Sequence, residues 1–328
     1  LLPKDYIRYR LTGQLATEVS DASGTGLLDI GSRNWSPEIA LALGLNLDLF
    51  PECFESDNAS AKTSNVSNLR DGIPVVGGGG DQAAGAVGTG AVEPGIVSVS
   101  LGTSGVVFTA LNHPQFDPKG AVHTFCHANR AWHAMGVMLS CGGSLKWFRD
   151  NFGNGMDYNS LGSLASKAEV GSAGLTFLPY LTGERSPHND PFARGSWSGI
   201  DIRHGIAEFT RSIFEGSTFG LLECYEALER LGGFKSQVRI TGGGARNPFW
   251  VQMIADVFLC TCQILENDEG PAFGAALLAG VGVGHWSDVP SACRETVRVK
   301  AEVEPSGADY SHASNRYRAL YRALQNWQ

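Results

Sequence analysis

The residues best placed to do chemistry lie in "IPVVGGGGDQAAGAVGTG", residues 73–90, where one carboxylate, Asp81, follows four glycines and precedes a run of alanine and glycine. Glycines in a row strip the backbone of side chains, so either a ligand comes close or the chain turns through angles that other residues avoid. A carboxylate displayed in this way can accept a proton from a hydroxyl as a general base. Aspartate is also a common helix cap. Capping, however, gives no reason for the glycines before Asp81 or for the small face after it, Ala83, Ala84, Gly85, Ala86 and Gly88, which lets a second backbone lie against the helix. Catalysis is the preferred expectation.

Two further segments share one grammar. In "AWHAMGVMLSCGGSLKWFRDNFG" and in "QVRITGGGARNPFWVQMIADVFL" a strand runs into glycines that open a helix. A helix N-terminus offers unpaired N–H groups and the positive end of a dipole, so phosphate or a nucleotide is the guest that such turns suit. A purely structural turn is the equal alternative. Neither is a Walker A loop, and neither fits GxGxxG followed by an acidic residue.

"HTFCHANRAWH" has the composition of a metal site. In a strand, though, His123, Phe125 and His127 face one way and Thr124 and Cys126 the other, so no tetrahedral set converges and hydrogen-bonded sheet histidines are expected. Cys260 and Cys262 of "CTC" have no CxxC partner elsewhere. "PYLTGERSPHNDP" packs Glu184, Arg185, His188 and Asp190 into a proline-bounded loop that either borders an active site or forms a rigid, salt-bridged connection. Trp197, Phe209, Phe214 and Phe219 read as core.

The elements that must position these residues follow from periodicity. The spacing of Tyr6, Ile7, Tyr9 and Leu11 predicts an amphipathic helix from Pro3 to Arg10, ending at Gly13; "EVSDASGTGLLDI" reads as turn, small-residue segment and strand. Ser36 caps a helix with Pro37 at its first position. "DGIPVVGGGG" is a turn and a buried strand, Glu93-Pro94-Gly95 is the candidate hinge, and "GIVSVSLGTSGVVFTAL" is a hairpin about Gly102–Gly105.

Composition narrows the class. With 328 residues, 43% of them hydrophobic, the chain can bury a core and suits two domains. A net charge of -8 without a Lys/Arg cluster argues against nucleic acid or an anionic membrane and for small molecules. No stretch has the roughly 20 apolar residues of a membrane helix and no signal peptide is visible, so a cytoplasmic protein is expected. Seven scattered cysteines suit reduced thiols.

Taken together the motifs resemble the FGGY carbohydrate kinases, most closely the xylulokinase branch. The C-terminal signature is met by "GSWSGIDIRHGIAEFTRSIFEG", residues 195–216, through Gly195, Trp197, Gly199, Ile200, Glu208, Phe209, Ser212, Ile213, Phe214, Glu215 and Gly216. "LLPKDYIRYRLTG", "SDASGT", "GGGDQAAGAVG", "SLGTSGV", "HTFCH", "FLPYLTGERSPHNDP" and "GGGARNPFW" follow the branch in order along almost the whole chain.

The resemblance implies an α/β protein of the actin-like ATPase (ribonuclease H-like) fold, two domains with the active site in the cleft between them. Residues 1–93 would be a remnant of the N-terminal sugar-binding domain and residues 94–328 the nucleotide-binding C-terminal domain. Asp81 stands where the family keeps its catalytic base, and Gln82 at a position that helps hold the sugar. Thr103 matches the phosphate loop facing the β- and γ-phosphates; Gly142, Lys146, Gly243, Gly244 and Asn247 match segments bordering ribose and adenine. The implied reaction passes the γ-phosphoryl of ATP, with Mg²⁺, to D-xylulose, giving D-xylulose 5-phosphate. Ribulose, gluconate or glycerol as acceptor, or an inactive nucleotide-binding fragment, are the alternatives. The family's first strand and its "DxGTxx" loop are not seen before Leu1, so a truncated first domain is expected; the apolar surface and sheet edge so uncovered favour self-association, a homodimer being its simplest form.

Overall fold

The computed structural model describes residues 1–66, 68–267 and 270–325. Its centre is a seven-stranded mixed sheet built from β1 (Gly95–Leu101), β2 (Gly105–Leu111), β3 (His123–Cys126), β4 (Trp132–Met138), β5 (Lys235–Thr241), β6 (Cys262–Leu265) and β7 (Val299–Val303), in the order β7-β6-β5-β1-β2-β4-β3. β5 runs parallel to β1 and to β6, and the other pairings are antiparallel. β1 and β2 form the expected hairpin. Every residue of β2 is buried, because helices cover both faces of the sheet.

Alternate residues of one strand serve opposite layers. Val107 and Ala134 face a core shared with Ile213, Phe214 and Leu221, whereas Val106, Phe108 and Met135 face Ala86 on the other side. Ala86 belongs to α1 (Asp81–Gly88). After β4 comes α2 (Gly142–Phe152), and the first-mentioned core is filled by α3 (Ile206–Glu229), flanked by α4 (Pro248–Phe258). From Thr210 to Leu221 every residue of α3 is buried, so its polar groups pair internally: Arg211 Nε donates to Glu215 Oε1 at 2.8 Å, and Glu215 also accepts from Gly171 N–H and Ser172 Oγ.

α1 is pinned by α5 (Gly270–Gly282). A Cβ on Gly88 would lie 1.9 Å from the Gly270 carbonyl oxygen, and one on Gly274 1.8 Å from that of Ala84. The small face of α1 therefore carries another backbone, as its composition suggested.

The first ninety residues depart more from expectation. The opening helix runs Pro3–Thr12 and stops at Gly13 (φ 69°), but its apolar side points outward: Tyr6 and Ile7 are 51% and 59% exposed while Asp5, Arg8 and Thr12 are buried. The buried polar groups have partners that make this possible, Asp5 with Lys4 Nζ at 2.6 Å and with Leu2 N–H, Arg8 with the Gln14 carbonyl at 3.0 Å and with Ser60 Oγ. Residues 16–29 form a strand (Ala16–Glu18), a short helix (Val19–Ala22), a 3-10 turn and a second strand (Leu28–Asp29), with more helix than was expected. Ser36 does cap its helix, accepting from Ile39 N–H at 3.3 Å. The strand Pro74–Val76 pairs with Ala59–Lys62 and is partly exposed rather than buried.

Candidate active site

A cleft of about 570 Å³ opens where the β1–β2 turn, the start of α2 and the approach to α4 meet. Thr103, Gly142, Lys146, Gly243, Gly244 and Asn247 all line it, so six residues from three separated segments of sequence converge on one cavity. The other wall was not foreseen. Leu145, Asp157, Tyr158, Phe214, Arg246 and Trp250 complete it, and in the sequence these look like ordinary core and surface residues.

The glycines there do different jobs. Thr103 O accepts from Cys141 N–H and Gly143 N–H, both at 3.0 Å, and Gly102 O accepts from Gly142 N–H at 2.9 Å. The α2 N-terminus thus gives its amides to the hairpin turn instead of offering them to an anion, which favours the structural alternative for the amides of this strand–glycine–helix unit. Gly142 is required by that packing, since a Cβ would sit 2.6 Å from Gly102 O. The Thr103 residue itself is exposed at the tip of the turn.

In the second unit the glycines do not open the helix directly. Gly242 turns the chain at φ 79° and ψ 179°, a 3-10 turn spans Gly243–Arg246, and α4 begins at Pro248. Asn247 caps α4 through Oδ1, which accepts from Trp250 N–H at 3.3 Å, while its Nδ2 donates to the Tyr158 carbonyl at 3.0 Å. A Cβ on Gly244 would strike Leu101 Cβ at 2.6 Å, but one on Gly243 meets nothing within 4 Å and projects into free space. Lys146 Nζ pairs with Asp150 Oδ2 at 2.7 Å on the exposed side of α2.

The "GERSPHNDP" loop is tied to the segment that leads into α2. Glu184 is 2% exposed and its Oε1 accepts from Leu139 N–H at 2.9 Å, just ahead of α2, and from Arg185 N–H at 2.7 Å. Burial pushes its carboxyl up to about 8, so it is a neutral acid near pH 7. The loop is held by these backbone bonds and by His188 Nε2 at 2.9 Å from Tyr180 Oη, rather than by ion pairs within itself.

A second, smaller cavity of about 180 Å³ holds Asp81 and Gln82, with Ser98, Ser100, Thr241 and Gly242 among its lining. Asp81 is exposed and is the first residue of α1, whose cap is Gly80; its Oδ1 accepts from Gln82 N–H at 2.7 Å. The two cavities adjoin along the carboxyl ends of β1 and β5. Ser98, Ser100, Thr241 and Gly242 line the smaller one, and Leu101, Gly102, Gly243 and Gly244 the larger. Ligands of open α/β sheets sit in this place, beyond the carboxyl ends of the strands.

The histidines do other work. His127 donates from Nε2 to the Ala91 carbonyl at 3.3 Å and accepts from Ala128 N–H at Nδ1, and full burial lowers it to about 4. His133 departs from the expected hydrogen-bonded sheet histidine. Its ring nitrogens have no hydrogen-bond partner, it stacks on Phe108 with centroids 4.4 Å apart, and burial pushes its pKa far down. Among the described residues no group of three or more His, Cys, Asp or Glu side chains could hold a metal ion. A magnesium ion carried by nucleotide phosphates needs only one or two protein oxygens.

This sheet, its helices and its cleft define the class: the fold is that of the actin-like ATPases, which a xyloylose kinase from Brucella ovis shares at a TM-score of 0.94 and 37% identity, covering 100% of this chain and 69% of that one. Residues 1–88 match the N-terminal domain and residues 97–283 the C-terminal domain of the FGGY family of carbohydrate kinases. The chain belongs to that family. The xylulose kinase of Bacillus subtilis (strain 168) is 38% identical over 331 residues, which cover 99% of this chain; the chain spans 66% of that relative's length. A gluconate kinase from Lactobacillus acidophilus, 24% identical with a TM-score of 0.91 over 98% of this chain and 67% of that one, shares the fold alone.

The second half of the family signature, Ser212 to Gly216, is built into the core. Trp197 Nε1 donates to Ser212 Oγ at 3.0 Å, a Cβ on Gly216 would meet Phe177 O at 2.3 Å, and Phe214 reaches the cleft.

Proposed function

We propose that this chain carries the nucleotide site and the catalytic base of an ATP-dependent sugar kinase that converts D-xylulose to D-xylulose 5-phosphate. One observation carries the reading: the cavity lined by Thr103, Gly142 and Gly243 adjoins the cavity that holds Asp81 across Thr241–Gly242–Gly243. A nucleotide with its adenosine against Gly243, Gly244 and Asn247, and its ribose near Gly142 and Lys146, would direct its phosphates past Thr103 toward Asp81. Residues 94–328 then supply the nucleotide side, and residues 1–93 the sugar side through Asp81 and Gln82. The xylulose kinase relative supports the ketopentose.

Phosphoryl transfer depends on alignment, charge neutralisation and a base for the acceptor hydroxyl. Magnesium bound with ATP supplies the neutralisation. Asp81 takes the hydroxyl proton, Gln82 orients the sugar beside it, and closure of the two domains about the hinge near Pro94 would exclude water so that ATP is not simply hydrolysed. Reduced cysteines and an acidic surface suit the cytoplasm for this reaction.

The test is ADP release, coupled to a spectroscopic readout, with D-xylulose, ribulose, gluconate and glycerol at saturating Mg-ATP. D-xylulose is expected to give the highest turnover per KM, and Asp81→Asn to lower turnover by about 10² or more with ADP affinity unchanged. A better acceptor than D-xylulose overturns the substrate. ADP binding without transfer to any of them leaves a nucleotide-binding role alone, and turnover of Asp81→Asn within a few fold of the parent removes Asp81 from the chemistry.

A further inference from the structure

Four consecutive glycines lead into Asp81, and glycine has the largest backbone freedom of any residue, so something must hold that loop if the carboxylate is to stand in one place. The tethers are few. Gly77 N–H donates to the Asn58 carbonyl at 3.2 Å, Gly78 N–H to the Ser56 carbonyl at 3.0 Å, and Gly80 N–H, next to Asp81, to Ser20 Oγ at 3.1 Å. The last is a side chain, and it is itself held. Ser20 is 4% exposed, and its hydroxyl donates to Glu18 Oε1 at 2.9 Å, which leaves a lone pair for Gly80.

Glu18 is fully buried and saturated. Its carboxylate accepts from Ser20 N–H and Asp21 N–H, each at 2.8 Å, and from Ser56 Oγ, with Lys4 Nζ 3.4 Å away. The same side chain occupies the space that a Cβ on Gly77 would need, at 2.8 Å. One buried carboxylate therefore locks the short helix Val19–Ala22, the Ser56 segment and the start of the glycine run, and passes that order through one hydroxyl to the residue before Asp81.

We propose that Ser20, oriented by Glu18, is a positioning residue that sets the Asp81 carboxylate for proton abstraction. The inference rests on the reading of Asp81 as the base. Ser20 touches no substrate in this scheme; it acts through the Gly80 amide.

Two measurements on Ser20→Ala test it. Hydrogen–deuterium exchange of peptides spanning residues 77–84 is expected to quicken while peptides from β1 and β5 keep their protection; unchanged exchange in 77–84 overturns the tether. Turnover at saturating ATP is expected to fall about two- to tenfold, the loss of one net hydrogen bond, with the KM for ATP unchanged. In an Asp81→Asn background the same substitution is expected to cost nothing further, since its only route to the chemistry is gone. An equal fold-loss in both backgrounds shows that Ser20 does not act through Asp81 and sinks the proposal. If Asp81→Asn itself keeps full turnover, the assignment of the base has failed instead, and exchange at 77–84 still decides whether Ser20 anchors the loop.

Discussion

Replacing Gly243 with valine separates ligand approach from chain packing at the proposed nucleotide site. A Cβ at this position has no heavy atom within 4 Å, and the residue does not lie in the left-handed region, so the larger side chain enters free space without straining the fold. Stability should stay within about 0.5 kcal/mol of the parent, as for substitutions that touch nothing. The added carbons would project into the 570 Å³ cleft beside Gly244 and Asn247. If adenosine lies there, forcing it against those carbons costs about 1–3 kcal/mol, typical of overpacking, which is roughly 5- to 150-fold in Kd at 1.4 kcal/mol per decade. Gly142→Ala supplies the contrast. Its Cβ would stand 2.6 Å from the Gly102 carbonyl, a backbone atom that cannot swing aside, so the hairpin turn or the start of α2 must shift. That variant should lose about 1–3 kcal/mol of stability. Calorimetric titration with Mg-ADP and thermal melting of both proteins are the assays. A Gly243→Val protein with a native circular dichroism spectrum and unchanged ADP affinity would refute the placement of adenosine.

Two further outcomes follow from the same structure. Gly274→Val puts a Cβ 1.8 Å from the Ala84 carbonyl oxygen and must part α5 from α1, so about 3 kcal/mol of stability and most of the turnover should be lost together, read from urea midpoints and the coupled assay. Glu184 retains its proton in the folded protein up to about pH 8 but loses it near the ordinary glutamate value of 4.5 once unfolded. The folded state therefore binds more protons between those values, and this group's contribution to stability falls as pH rises from about 4.5 to 8. Glu184→Gln removes that slope; relative to the parent it should gain on the order of a few kcal/mol between pH 5 and pH 8 in urea denaturation, and a constant difference across that range would show that Glu184 is not the titrating group.

The hairpin of β1 and β2 was legible because its signal is local, whereas the order of the seven strands was not. Alternating β-branched residues on either side of Gly102–Gly105 can only be a hairpin once both strands are buried, and the structure pairs Val97 with Thr109 through Leu101 with Gly105. The convergence of Thr103, Gly142 and Gly243 was expected from the family resemblance alone; the structure brings it about because each follows a strand of one sheet. The inverted face of the first helix was not. Tyr6, Ile7 and Tyr9 have the right period for burial, and the competing interior of Asp5 and Arg8 becomes favourable only when Lys4, Gln14 and Ser60 are brought to them. Hydrogen-bond partners, Ser60 from distant sequence among them, decide such cases, and a period cannot report them. Glu18, Ser20 and the cleft wall of Tyr158, Phe214 and Trp250 escaped for the same reason: no spacing marks them, and only the fold assembles them.

Glycine is the sharpest form of that limit. Its presence says that a Cβ is unwanted, and it does not say what the Cβ would have met. Three glycines of similar appearance illustrate the range: Gly88 would strike the backbone of α5, Gly142 the hairpin turn, and Gly243 nothing that belongs to the chain. The first two are explained by packing alone, so a ligand is not needed to account for them. For Gly243 packing gives no reason, and its open space lies in the wall of a cavity on which several separate segments converge. A glycine without a neighbour is the better witness to a bound molecule, which is why the nucleotide reading is staked on Gly243 rather than on the longer and more conspicuous run before Asp81.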